Sequence, residues 1–105
     1  MTQYALIGTH PPDNCPISNK AVREFVKKVM PELPKVAEGL GIKFVTQLIL
    51  EPSHKILMIL EAPSAEAVTE MSLKGGLQHF NDLELHIATP IQEGMKELDE
   101  LPLLY

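Results

Sequence analysis

One cysteine among 105 residues excludes an intrachain disulfide framework. There is no tryptophan, and the aromatics are two tyrosines and three phenylalanines, which leaves little material for a large aromatic ligand pocket. Positive charge is scarce. Nine Lys+Arg stand against fourteen Asp+Glu, a formal net charge of −5. No basic stripe is visible, so a general nucleic-acid binder is not expected. No apolar run reaches the ~18 residues of a membrane span, and the start of the chain lacks a signal peptide's charged and apolar segments. These absences lead us to expect a soluble cytoplasmic protein that touches neither membrane nor nucleic acid. What is present is ordinary globular composition, 45% hydrophobic and 22% charged. The length suits one domain, residues 1–105, with its own core.

Residues 4–9 read as a strand that ends at His10-Pro11-Pro12, because proline has no N–H for a ladder and pushes the residue before it to extended geometry. From Val22 to Leu40 the apolar residues Phe25, Val26, Val29, Leu33, Val36 and Ala37 keep helical spacing. Ser18 or Asn19 can cap that start. Pro31 and Pro34 interrupt the stripe, so a kink or a short second helix starting near Pro31 is expected, and the unshifted phase favours the kink. Residues 42–50 and 55–61 are strands separated by a hairpin-sized Glu51-Pro52-Ser53-His54 connection. The second is apolar on both faces, so both need cover. Ser64 can cap a helix whose Val68, Met71 and Leu77 face the core and which Gly75-Gly76 ends. Residues 83–89 alternate as a fourth strand, and a short helix over 91–99 and a leucine-rich tail follow.

The order β-α-β-β-α-β is the ferredoxin-like pattern of an α+β fold. Right-handed crossovers then give a four-stranded antiparallel sheet in the order 4-1-3-2 with both helices on one face. The uncovered face carries apolar side chains, Met58 or Leu57 among them, so a homodimer packed sheet to sheet is expected. Leu98, Leu101, Leu103 and Leu104 of the tail pack either across that interface or on their own domain.

This topology places the end of the first strand beside the starts of the third and fourth. His10, His54, His79, His86 and Cys15 then all map to one end of the sheet. Imidazole and thiolate are preferred ligands of nickel, copper, zinc and iron, and the proline-rich His-x4-Cys loop holds two of them. The expected function is therefore transition-metal binding through His10, Cys15 and His86, completed by His54 or His79. Taken singly, each residue has a plainer reading: a strand-end histidine, a buried inert thiol, a solvated turn, a helix C-cap. Two other chemistries compete. His10 beside Cys15 suits a thiol nucleophile or persulfide carrier. A pocket at the same end suits a small enzyme of the oxygenase, isomerase or haem-binding type, with His86 or His10 as acid/base or axial ligand. An interaction module without chemistry is the third class. Glu66 and Glu70, one helical turn apart, read as a solvated surface.

The stretch Lys55-Ile-Leu-Met-Ile-Leu-Glu-Ala-Pro-Ser-Ala-Glu-Ala67 resembles a group of small, uncharacterised ferredoxin-like proteins related to dimeric α/β barrels. The resemblance implies that fold, a dimer and, as in some members, binding of nickel or another transition metal through histidines. Members often carry a histidine within the second helix, where this chain has Glu70-Met71-Ser72. The quoted stretch is a strand-to-helix junction, and no site residue is carried over from it.

Overall fold

The computed structural model describes residues 1–104. Four strands, β1 (Thr2–Thr9), β2 (Lys43–Leu50), β3 (Lys55–Ala62) and β4 (Asp82–Ile87), form one antiparallel sheet in the order β2-β3-β1-β4. Read from the other edge, this is β4-β1-β3-β2. Between β1 and β2 lie α1 (Lys20–Val29), a 3-10 turn over Met30–Glu32 and α2 (Leu33–Gly39). Helix α3 (Ala65–Lys74) joins β3 to β4, and α4 (Ile91–Glu97) follows β4.

Local chemistry explains the boundaries. The Asn19 side chain accepts from the Val22 amide at 3.0 Å and starts α1, and Ser64 does the same for α3 through Ala67 at 3.2 Å. Pro31 and Pro34 give the second helix and not the favoured kink. They separate two helices by a 3-10 turn, each proline falling at a first-turn position where its missing N–H breaks no bond. Gly76 takes the left-handed backbone (φ 79) after α3, and a Cβ there would lie 2.8 Å from the Phe25 ring. Only glycine allows α1 to approach this turn so closely.

The core lies between the sheet and α2–α3. Tyr4, Leu6, Met58, Leu60 and Ala62 from the sheet meet Leu33, Ala37, Val68, Met71 and Leu77. Met58 thus belongs to the core, because it pairs with Leu6 on the helix-covered face, and only Leu57 of the expected pair lies on the other face. That other face carries Ala5, Ile7, Leu57 and Ile59, half-buried at the centre, beside exposed Leu48. A register shift between Phe44 and Thr46 makes Val45 the extra residue of β2. The tail leucines Leu98, Leu101, Leu103 and Leu104 are all exposed and do not cover this domain. Among the described residues, no helix is long and apolar enough to cross a membrane.

Helix α1 differs from α2 and α3 in having no fully buried residue. Its stripe of Val22, Phe25, Val26 and Val29 is half-buried. The helix stands off the sheet and leaves a space beneath it. Leu60, by contrast, is fully enclosed. Leu60→Ala is expected to lower unfolding free energy by about 2–5 kcal/mol in urea denaturation, the usual range for an emptied core leucine site.

Candidate metal centre

The loop after β1 is held in place by its own hydrogen bonds. Residues Pro12–Asn14 make a 3-10 turn, and the amides of Ser18 and Asn19 both donate to the Cys15 carbonyl, at 3.0 and 2.8 Å. The Asn19 side chain donates to Asp13 O at 3.0 Å, and Arg23 Nε reaches back to Pro16 O at 3.0 Å. Asn14 Nδ2 ties the loop to the Phe80 carbonyl at 3.2 Å. Cys15 is thereby fixed with its side chain buried, 5% exposed.

His10 extends the β1–β3 ladder by one bond, its amide donating to the His54 carbonyl at 3.1 Å. His54 is a non-glycine residue in left-handed backbone (φ 55). Histidine is among the few residues enriched there, and the conformation costs about 1–2 kcal/mol in an L-residue. The turn therefore brings the His54 ring to 5.8 Å from the His10 ring, centroid to centroid. One donor atom each from His10, Cys15 and His54 lie within 4.8 Å of one another.

Asn81 decides which His10 nitrogen is available. Its Nδ2 donates to Leu77 O at 3.1 Å, which leaves Oδ1 facing His10 Nδ1 at 2.8 Å. An amide oxygen can only accept, so Nδ1 carries a hydrogen, and in the neutral imidazole the lone pair is then on Nε2. That Nε2 is buried and has no hydrogen-bond partner. A buried acceptor left unpaired costs roughly 1–3 kcal/mol, and an imidazole with Nδ1–H fixed and Nε2 free is the arrangement of a metal-ligating histidine. Gly8 makes room for this contact: a Cβ there would meet the Asn81 side chain at 3.1 Å and Ile56 at 2.7 Å.

The remaining histidines lie elsewhere. His86 pairs in register with Ala5, four residues along β4 from the Asp82–Thr9 pair, roughly 13 Å up the strand. It is exposed on the uncovered face and sits 3.2 Å from the Glu84 carboxylate. His79 closes the 3-10 turn Leu77–His79 and packs against Phe25, with ring centroids 4.6 Å apart. Among the described residues, neither joins the cluster. Glu70 pairs with Lys74 at 2.9 Å on the exposed side of α3, as a solvated surface would.

No protein-family model and no curated protein matches the sequence. Solved structures do match. One is a Deinococcus radiodurans R1 protein provisionally described as a transposase, 12% identical, covering 93% of this chain and 88% of that one with a TM-score of 0.50. At that identity the likeness is one of fold alone.

No local pattern in the sequence points to Asn81, while His54, expected as a possible fourth ligand, is one of the three residues that cluster. The left-handed backbone at His54 is a position where glycine or asparagine is usual, and the sequence alone does not mark it. His54→Gly is expected to leave the urea midpoint nearly unchanged, whereas His54→Val should lose about 1–2 kcal/mol, since a β-branched residue is poorly tolerated at this φ.

Proposed function

We propose that the protein binds a transition-metal ion through His10 Nε2, Cys15 Sγ and a ring nitrogen of His54. The observation that carries this reading is the buried, unpartnered Nε2 of His10, which Asn81 orients beside a thiol and a second imidazole. Two imidazoles and one thiolate suit zinc, copper, nickel or iron better than the hard ions magnesium and calcium. Tetrahedral bonds of about 2.0–2.3 Å set neighbouring donors roughly 3.5 Å apart, so binding draws the three together by side-chain rotation. Three protein ligands leave one position for water or another molecule. The formal charge of −5 and the lack of a basic stripe weigh against nucleic acid as a partner.

Titration with Co²⁺ is expected to give one ion per chain and a thiolate-to-metal charge-transfer band. Cys15→Ser should abolish the band, and His10→Ala should abolish binding. Asn81→Ala should weaken affinity about 10–100-fold while leaving the band in place at saturation, as loss of an orienting partner does. His86→Ala should change nothing. A protein that binds no Co²⁺, Ni²⁺ or Zn²⁺ would contradict the reading.

We further propose that the uncovered sheet face is covered by a second copy of the chain. The support is its apolar centre, Ile7, Leu57 and Ile59, set between the ionisable ends of the strands. Sedimentation equilibrium should then give a dimer, and Ile59→Glu should give a folded monomer. A monomeric parent protein would sink the idea.

A further inference from the structure

The space under α1 is a cavity of about 550 Å³, within the ~300–1,000 Å³ typical of small-molecule sites. Its walls are almost wholly apolar: Val26 and Met30 of the α1 side, Ile56 and Met58 of β3, Leu77 and Phe80 ahead of β4. His10, Cys15 and His54 line the same cavity. Ile17 and Ile49 also line it and are exposed, at 68% and 72%, so they mark its mouth. The hollow lies under a helix that buries no residue, whereas α2 and α3, the other helices of the covered face, each bury residues in the core. Its position accounts for an otherwise wasteful feature, an amphipathic helix that buries none of its stripe completely.

We infer that the cavity takes a small apolar organic molecule carrying a single Lewis-basic head group, which fills the open coordination position of the ion. This rests on the metal reading above. The three protein ligands supply the polar contact, and the walls supply affinity in proportion to the apolar area removed from water. The wall offers few hydrogen-bonding groups away from the cluster: Gln47, Glu51 and Lys55 also line the cavity. A sugar or nucleotide would outnumber these groups with its own hydroxyls and phosphate oxygens and leave several of them facing apolar wall. The ligand class is accordingly one with one polar end and an aliphatic or aromatic body.

The test uses the full chain loaded with Co²⁺ and compares imidazole with 4-phenylimidazole, which share a head group and differ by one apolar ring. The visible Co²⁺ bands report head-group binding. We expect 4-phenylimidazole to shift them at a concentration at least ~10-fold lower than imidazole does. Val26→Phe, which fills the cavity from α1, should erase that difference while leaving the Co²⁺ spectrum of the ligand-free protein unchanged. Ile49→Trp, at the exposed mouth, gives the same readout at a position where folding is not at stake. Co²⁺ binding with equal affinity for the two probes would overturn the cavity inference and leave the metal reading intact. Absence of any Co²⁺ spectrum would overturn both.

Discussion

The hydrogen bond from the His10 amide to the His54 carbonyl is the constraint on which the site depends. It continues the β1–β3 pairing by one residue beyond Thr9–Lys55. Residues 44 positions apart in the chain are thus held in neighbouring backbone positions. The antiparallel register then places their rings beside each other. The Pro-rich loop carries Cys15 back to the same place, and Asn14 ties that loop to Phe80. Because these links are made by backbone and neutral side chains, the fold itself holds the three residues near one another. This is preorganisation, which reduces the ordering cost of binding.

Asn81 adds direction to that assembly. It stands just before β4, itself buried, and spends its amide hydrogen on Leu77 and its oxygen on His10. The packing that admits it is the bare Cα of Gly8 on the neighbouring strand β1. A chain of contacts therefore runs from the β1–β4 interface to one imidazole nitrogen. It fixes the orientation of the ring without any charged partner and leaves Nε2 facing Cys15 and His54.

Much of this architecture was legible in the sequence. The shift from alternating to helical spacing marked β1 and α1, Asn19 and Ser64 marked the helix starts, and Gly75-Gly76 marked the end of α3. The convergence of His10, Cys15 and His54 at one sheet end followed from topology alone. What was not legible has several causes, one being that position along a strand is not fixed by element order. His86 lies on the right strand but too far along it, and on the uncovered face that its alternation with Leu83, Leu85 and Ile87 indicates. Met58 and Leu57 sit in a run apolar on both faces, where periodicity carries no information about which faces inward. Pro31 and Pro34 broke a helix whose hydrophobic phase continued through them, because tertiary packing kept the stripe aligned over two separate helices. Asn81 acts through space on a residue 71 positions away, and no local pattern announces such a contact.

The site and the cavity are two readings of one feature, a helix held off the sheet over an oriented imidazole. X-ray absorption at the zinc edge of the zinc-loaded protein tests the central assignment most directly. The account requires one sulfur at about 2.3 Å and imidazole nitrogens at about 2.0 Å, with the sulfur contribution lost in Cys15→Ser. A shell of oxygen alone, or a sulfur signal that survives that substitution, would contradict it.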